Sequence, residues 1–283
     1  MNTARTHRAV SADGTEIIGR VVGEGPPLVL VHGGIGDGEF AWTELLPHLT
    51  GRFTCYLPST RGRGLSGDHP DHSPPRLSED INAFVGSIGE PVGLMGWSGG
   101  GPLILGAAEQ LNNVAAVAAW ESAGDLAGAP PELLADIDRL GAAVEQVGMA
   151  ATEGRLQDGV RAFLVGICTD EEIAALEDTD FHDRWSVGIP EMLVFFQQLM
   201  AVEGSGPLDP AALARVSVPT LFLVATETLL DNAFPIWARR MADAVPDGRA
   251  REVAGVGHFA PVIAPDTVAA EMIAFFEEAR QPA

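Results

Sequence analysis

The sequence predicts an α/β protein with a mostly parallel twisted sheet and helices on both of its faces. Apolar runs of strand length alternate with longer helical patterns along most of the chain, and such alternation is typical of parallel βαβ units. Several runs are almost continuously apolar, Pro27 to Val31 most clearly, as expected of strands covered on both faces. A helix-rich stretch between Asp125 and Arg215 interrupts the alternation and predicts a second, smaller unit.

The core elements are predicted in chain order from these patterns. Residues His7 to Gly23 are predicted to form a β-hairpin, because Asp13-Gly14 provides a turn between two alternating segments. Further strands are predicted over Pro27–Val31, Phe53–Leu57, Val92–Met95, Val114–Trp120, Pro219–Val224 and Arg251–Ala254. Helices are predicted over Ala41–Leu49, Leu77–Ile88, Gly101–Leu111, Pro235–Ala244 and Thr267–Ala279.

The interrupting stretch predicts a helical cap inserted after the sixth strand. Its clearest helical patterns are Glu132–Val147, Leu156–Val165 and Glu191–Val202. We therefore expect residues 1–124 and 216–283 to form the core domain and residues 125–215 to form the cap. Open α/β sheets bind ligands at the carboxyl ends of their strands, so a cap inserted there would cover a site.

Composition excludes several kinds of function. The 283-residue chain has a net charge of −22, from 39 acidic and 17 basic residues, and every basic residue is arginine. An acidic surface repels nucleic acids and anionic membranes, and a chain without lysine cannot use Schiff-base chemistry or a P-loop lysine. Its two cysteines, Cys55 and Cys168, indicate a reducing compartment. With no signal peptide or membrane-length apolar run visible, we expect a cytoplasmic protein whose partner is a small molecule.

A candidate nucleophile lies in Gly96-Trp97-Ser98-Gly99-Gly100, directly after an apolar strand and before a helical segment. A serine at such a sharp turn is lifted clear of the backbone, and the glycines let the strand and the helix pass closely. The amide end of the helix would face the hydroxyl. An ordinary serine in a glycine-rich turn is the alternative.

The candidate base is His258, between the last strand and the last helix. This position places it at the same sheet edge as Ser98, and a serine hydroxyl needs such a base to act as a nucleophile. His32 follows the third strand, where we expect it to fix a turn. His69 and His72 have a metal-like spacing, but no helix or cysteine supports them, and we predict no metal site.

Two backbone amides form the predicted anion site. The amide of Gly99 follows the nucleophile, and the amide of Gly34 belongs to the loop after the third strand. Amides in such positions stabilise the negative oxygen of a tetrahedral intermediate. Glycine at position 34 also leaves room for a bulky acyl group.

These motifs resemble those of the α/β-hydrolase fold family over essentially the whole chain. The matching stretches, in that family's order, are His32-Gly33-Gly34, Arg61-Gly62-Arg63-Gly64-Leu65-Ser66, Gly96-Trp97-Ser98-Gly99-Gly100 and Gly257-His258. The segment from Gly62 to Gly67 also fits a dinucleotide-binding pattern, but a proline-rich loop rather than a helix follows it, and we expect no cofactor. The resemblance implies a serine-nucleophile hydrolase with a catalytic triad.

The acid of that triad departs from the family's usual pattern. Its common position, after the seventh strand, is occupied here by Thr228. Some family members carry the acid after the sixth strand instead, and Glu121 lies directly there, on the strand predicted to neighbour that of Ser98. We therefore favour Glu121 as the acid that orients the histidine. The alternatives are Asp231, Glu227 and Asp125.

Within the family, the chain is most similar to zearalenone lactonases. Those enzymes have a glutamate after the sixth strand and a glycine at the oxyanion position, matched here by Glu121 and Gly34. They also have a W-x-x-G-x-P cap segment, matched by Trp185 to Pro190, and their cap tryptophan contacts the substrate. Trp185 would then line the pocket; packing in the core is the alternative. The other candidate pocket residues are Ile35, Trp97 and Phe259.

We thus expect a cofactor-free hydrolase of a carboxylic ester or lactone. The cap is rich in large apolar residues, such as Met192 to Phe196, which favours an apolar substrate of medium size, for example a zearalenone-type lactone. The same residues could instead serve C–C bond hydrolysis, thioester cleavage or perhydrolysis. A small-molecule receptor on the same fold is the non-catalytic alternative.

Overall fold

The strands form one mixed sheet in the computed structural model, which describes residues 5–177, 180–199 and 204–280. The described strands are β1 (Arg5–Val10), β2 (Glu16–Gly23), β3 (Pro27–Val31), β4 (Thr54–Pro58), β5 (Val92–Trp97), β6 (Val114–Trp120), β7 (Thr220–Ala225) and β8 (Gly248–Val253). Their order across the sheet is β1-β2-β4-β3-β5-β6-β7-β8. The predicted hairpin and the β2–β4 pair are antiparallel, and the pairs from β4 to β8 are parallel, which confirms the predicted fold class.

Parallel pairing brings the ends of three strands to one edge of the sheet. Trp97, the last residue of β5, pairs with Trp120, the last residue of β6, and Trp120 pairs with Leu223 of β7. The residues that follow β5 and β6 are Ser98 and Glu121, so both leave the sheet at the same edge. This edge is where α/β sheets place their sites.

Helices cover the sheet and fill the long connection from β6 to β7, the segment predicted as the cap. In chain order they are α1 (Leu46–Leu49), α2 (Pro74–Gly86), α3 (Gly100–Gln110), α4 (Pro131–Thr152), α5 (Leu156–Ile167), α6 (Asp170–Glu177), α7 (Phe181–Ser186), α8 (Ile189–Leu199), α9 (Pro210–Leu213), α10 (Ala233–Ala244), α11 (Ala260–Ile263) and α12 (Pro265–Ala279). Helices α1 and α12 pack together, whereas α2, α3, α9 and α10 contact one another in a second layer. Helices α4 to α8 follow β6 in the chain and precede β7, and they pack against one another. Within the described ranges, none of the helices has the length and apolar character needed to cross a bilayer.

The helix predicted over Ala41–Leu49 is wrong in its first half, because α1 begins only at Leu46. Residues 38–45 form successive turns instead. The N–H groups of Thr43 and Leu45 donate to the carbonyl oxygens three residues before them, those of Phe40 and Trp42. Hydrogen bonds over three residues form tight turns rather than an α-helix.

Three short helices in the range predicted for the cap, α6, α7 and α9, have no counterpart among the predicted elements. They are eight, six and four residues long, too short for a helical period to be visible in the sequence. Helix α8 overlaps the pattern predicted over Glu191–Val202 as far as Leu199, and residues 200–203 lie outside the described residues.

A buried ion pair fixes the loop that follows β4. The side chains of Arg61 and Asp80 are both 0% exposed, and the guanidinium donates two hydrogen bonds to the carboxylate, of 2.8 and 2.7 Å. Arg61 also donates to Asp13 Oδ2 (2.8 Å) and to the carbonyl oxygen of Asp71 (2.9 Å). The loop is thereby joined to the hairpin turn and to α2.

Replacement of Asp80 by alanine is expected to lower the free energy of unfolding by about 3–5 kcal/mol, since it leaves a buried guanidinium without its main counter-charge. The control is Glu79→Ala, which removes the partly exposed pair with Arg76 and should cost less than about 1 kcal/mol. Urea denaturation of both variants measures the difference. Equal midpoints would show that the Arg61 network contributes no more than a surface pair.

Candidate active site

Ser98 lies at the sharp turn between β5 and α3. Its φ of 53° is in the left-handed region, which is strained for a residue with a side chain and is common at functional sites. A Cβ built on Gly96 would lie 2.7 Å from the Gly100 carbonyl oxygen, and one on Gly100 would lie 2.4 Å from that of Val31. Glycine at both positions therefore permits the close crossing that forms the turn.

Glu121 occupies the equivalent position at the end of β6. Its φ is 40°, also in the left-handed region, and the residue is 1% exposed. One carboxylate oxygen, Oε1, accepts a hydrogen bond of 3.1 Å from the N–H of Ala225, the last residue of β7. The other, Oε2, lies 2.9 Å from Nδ1 of His258, so the hydrogen bond expected from the sequence is present.

His258 is held from several sides. Besides the bond to Glu121, the indole N–H of Trp120 donates to its carbonyl oxygen (3.1 Å). The ring of Phe234 stacks on the imidazole, with centroids 5.1 Å apart and an interplanar angle of 10°. Because Glu121 engages Nδ1, Nε2 is the ring nitrogen left for a proton transfer. The imidazole also lies beside Trp97, the residue before Ser98, with ring centroids 5.8 Å apart.

The Ser98 hydroxyl itself makes no hydrogen bond with any residue in the described part of the chain. The hydroxyl is therefore unengaged, on a turn whose preceding residue, Trp97, contacts the imidazole that Glu121 orients.

The alternative acids lie elsewhere. Asp231 and Glu227 are exposed, and their carboxylates accept hydrogen bonds from the neighbouring Asn232 and Thr226. For Asp125, only the backbone carbonyl is engaged, by the indole N–H of Trp237. Among the described residues, none of these three carboxylates makes a hydrogen bond with His258.

Gly34 and Gly99, the two predicted oxyanion residues, lie side by side. A Cβ built on Gly99 would lie 3.6 Å from the Gly34 nitrogen, whereas one on Gly34 would meet nothing within 4 Å. Neither amide donates a hydrogen bond to another described residue. Two unpaired N–H groups beside a strained serine can hold a developing negative charge.

Arg63 holds the loop that contains Gly34 by hydrogen bonds to its backbone. Its guanidinium donates to the carbonyl oxygens of Gly34 (2.7 Å) and Gly36 (2.9 Å). Burial lowers the pKa of Arg63 to about 10, although the negative charges of Glu191 and Asp37 partly offset this. The side chain therefore stays charged at neutral pH and holds the peptide groups that follow Gly34 and Gly36.

His32 fixes the same turn, as expected. Its Nδ1 lies 2.8 Å from the carbonyl oxygen of Gly33, and its Nε2 accepts a hydrogen bond from Thr60 N–H (3.2 Å). Burial, together with the charge of Arg63, lowers the pKa of His32 to about 3, so the ring is neutral. An N–H at Nδ1 and a lone pair at Nε2 satisfy both contacts.

The four candidate pocket residues are buried around the site. Trp185 is 2% exposed and stacks on Phe181 with ring centroids 4.7 Å apart. It also contacts Trp97 (5.7 Å) and Phe259 (5.4 Å), so one aromatic cluster joins the cap to the residues beside the nucleophile and the base. Ile35 is 3% exposed, and its carbonyl would lie 2.0 Å from a Cβ on Gly188 of the cap.

A small cavity of about 30 Å³ adjoins Gly34 and Gly99. Its apolar lining comes from α2, α3 and α8, as Leu77, Leu103 and Phe195. Its polar lining includes Arg63, His72 and Glu191. This volume holds about one or two water molecules. An acyl group of several carbons requires the side chains or the cap to move apart.

No role at the site is predicted from the sequence for three residues that contact it, and two of them have no signal in the sequence. Phe234 and Glu172 reach His258 or its loop from helices remote in the chain, and their sequence surroundings resemble ordinary helix positions. Arg63 has a recognisable signal, an arginine within a glycine-rich loop after a strand. The histidines considered for metal binding do not converge: His72 pairs with Asp68 (2.9 Å), and the described residues contain no group of three side chains suited to a metal.

Known proteins resemble this chain in sequence and structure. The profile of the alpha/beta hydrolase family matches residues 28–271. A solved alpha/beta hydrolase from Sphaerobacter thermophilus has a TM-score of 0.69 and 25% identity, with 95% of this chain and 100% of that chain covered.

Two curated relatives match shorter segments. A pimeloyl-[acyl-carrier protein] methyl ester esterase from Stenotrophomonas maltophilia is 39% identical over 99 residues, which are 35% of this chain and 36% of that protein. A pyrrolizixenacetamide deacetylase from Xenorhabdus hominickii is 48% identical over 46 residues, 16% of this chain and 17% of that protein. The matches thus span about a third and about a sixth of these relatives.

Proposed function

This chain belongs to the alpha/beta hydrolase family, and on that basis we propose that it is a serine hydrolase of carboxylic esters or lactones. The observation that carries the proposal is the 2.9 Å contact between Glu121 and His258, buried at the sheet edge where Ser98 adopts a left-handed turn. An acid, a base and a nucleophile in this relation make up a catalytic triad. The esterase named above supports ester chemistry for part of the chain.

Each residue has one role in the proposed reaction. Ser98 Oγ attacks the carbonyl carbon as its proton passes to Nε2 of His258, and the carbonyl π electrons move to the oxygen. The amides of Gly34 and Gly99 stabilise that oxyanion. Collapse of the intermediate breaks the C–O bond to the alcohol, which takes the proton from His258, and Ser98 keeps the acyl group. Water then attacks the acyl carbon and gives a proton to His258, which passes it to Ser98 Oγ as the acyl C–O bond breaks and the acid leaves.

The proposed substrate is apolar and of medium size, such as a zearalenone-type lactone. Leu77, Leu103 and Phe195 give the cavity apolar walls, as such a substrate needs. The four predicted pocket residues do not line this cavity, and the proposal is that the aromatic cluster around Trp185 joins its wall when the cap shifts. Because the cavity beside the amides is small, binding of this substrate requires the cap to shift. In a lactone the alcohol stays attached to the acyl group, so opening of the ring gives a single hydroxy-acid product.

A hydrolysis screen with an active-site probe tests the proposal. The panel comprises p-nitrophenyl esters of increasing acyl length, a small-ring lactone and a macrocyclic resorcylic lactone. A fluorophosphonate should label the protein once, with the mass increase on the peptide that contains Ser98. If the protein neither hydrolyses any member of the panel nor reacts with the probe, the hydrolase proposal is rejected. The alternative of a small-molecule receptor on the same fold is then favoured.

A further inference from the structure

A carboxyl group from the cap lies against the loop that carries His258. Glu172, on α6, is 4% exposed, and its Oε1 accepts a hydrogen bond of 2.9 Å from the N–H of Phe259. A Cβ built on Gly257 would lie 2.2 Å from the Glu172 carboxyl carbon, so only glycine permits this approach. The residues on both sides of His258 therefore contact the same cap side chain.

The surroundings of Glu172 are unusual for an acidic residue. Its second oxygen, Oε2, is buried and has no hydrogen-bond partner among the described residues. Burial raises the pKa of Glu172 and the nearby charge of Glu121 raises it further, whereas the Phe259 amide and His258 lower it. The Cys168 thiol also faces this carboxyl, and burial raises its pKa well above the usual range, so it stays neutral.

Glu172 differs from the acidic residues beside it on the same helix. Asp170 and Glu171, also in the first turn of α6, are exposed to solvent. Burying a carboxyl with one unpaired oxygen is unfavourable. The other oxygen of Glu172 bonds to the loop that carries His258, the histidine loop. Such unfavourable features concentrate where they hold functional groups in place.

We propose that Glu172 is a positioning residue for His258, and that it transmits the docking of the cap to the base. Glu172 accepts a hydrogen bond from the backbone N–H of Phe259. While the cap is closed, this bond holds the histidine loop in the position that directs Nε2 toward Ser98. When the cap lifts to admit substrate, that hold is released, and closure restores it. This inference rests on the proposed function, because it assigns a partner to the proposed base.

Three substitutions in α6 separate this role from a general structural one. Glu172→Ala removes the acceptor, Glu172→Gln keeps an oxygen at the same reach, and Glu171→Ala changes an exposed neighbour. We expect Glu172→Ala to lower kcat for ester hydrolysis at least about tenfold with KM within about threefold, since a misplaced base slows chemistry more than binding. Glu172→Gln should keep kcat within about threefold, and Glu171→Ala should match the wild type.

Three kinetic results would overturn the inference. They are a kcat within about twofold of wild type in Glu172→Ala, a loss confined to KM, or a Gln variant as impaired as the Ala variant. If Glu172→Ala does not fold, Glu172→Asp decides, because it keeps the carboxyl but withdraws it by one methylene. A kcat unchanged in Glu172→Asp would contradict the proposal.

Amide hydrogen exchange at Phe259, followed without substrate, distinguishes the two proposals. This amide should be protected in the wild type and in Glu172→Gln and should exchange faster in Glu172→Ala. If the wild type cleaves no ester but the exchange rates of the Phe259 amide follow this order, the proposed function is wrong and the contact between Glu172 and the histidine loop is confirmed. If hydrolysis depends on Ser98 but Glu172→Ala changes neither kcat nor the exchange, only the inference fails.

Discussion

Replacement of Ser98 by alanine is expected to lower kcat for ester hydrolysis by about 10⁴-fold or more, equivalent to about 5.5 kcal/mol of transition-state stabilisation. The substitution removes the attacking hydroxyl and leaves the amides of Gly34 and Gly99 in place. Ser98 already has a left-handed backbone, and alanine retains a Cβ there, so the turn itself should change little. KM should therefore stay close to the wild-type value, which steady-state kinetics on the best substrate of the screen will measure.

Ser78 provides a matched control for this variant. It is half-buried on α2, and its hydroxyl makes no hydrogen bond within the described residues. Ser78→Ala should retain wild-type kcat and fluorophosphonate labelling, whereas Ser98→Ala should lose both. Turnover near the wild-type rate in Ser98→Ala would reject Ser98 as the nucleophile.

Sequence alone predicts those parts of the fold and site that depend on local patterns. The sheet follows from apolar strands alternating with helices, and the Ser98 turn follows from glycines on both sides of one serine. Glu121 follows from the family resemblance, and topology permits it, because neighbouring parallel strands end at the same edge. In each case one element, or two adjacent ones, contains the necessary information.

The remaining features depend on how distant segments dock. Glu172 lies in a short acidic helix whose sequence indicates a solvated surface, and only the packing of the cap onto Gly257 buries it. Phe234 has the pattern of an ordinary core residue, although it stacks on the imidazole of His258. The helix predicted from Ala41 is wrong for another reason: the backbone of residues 38–45 forms turns closed over three residues in place of helical hydrogen bonds. Periodicity does not contain such contacts.

Both catalytic candidates that follow strands have φ values in the left-handed region, 53° for Ser98 and 40° for Glu121. Each conformation costs on the order of 1 kcal/mol or more for a non-glycine residue. Hydrogen bonds to the neighbouring strands offset this cost. The N–H of Ser98 donates to the carbonyl oxygen of Trp120, and the N–H of Glu121 donates to that of Leu223, both at 2.9 Å. The central strands thus hold two functional side chains in conformations that an isolated chain would avoid.

Glu121→Ala is expected to reduce kcat by about 10³- to 10⁴-fold, whereas Asp231→Asn should change it less than about threefold. The Glu121 carboxylate holds Nδ1 of His258 at 2.9 Å and would stabilise the imidazolium that forms during proton transfer. Asp231 is exposed and bonds only to the neighbouring Asn232 among the described residues. Kinetics of both variants on one substrate decide between the two acids. Comparable losses, or the reverse order, would assign the acid to the loop after β7.

Glu121→Gln tests whether the negative charge or the tautomer of His258 matters. The amide keeps the shape of the carboxyl, and its oxygen can still accept the N–H of Ala225. If its NH₂ group then faces Nδ1 of His258, Nδ1 must act as an acceptor and the proton must move to Nε2. A histidine protonated at Nε2 cannot take the proton of Ser98, so this near-isosteric variant should lose about as much kcat as Glu121→Ala while remaining as stable as the wild type. A Gln variant with wild-type turnover would mean that Glu121 only supports the fold.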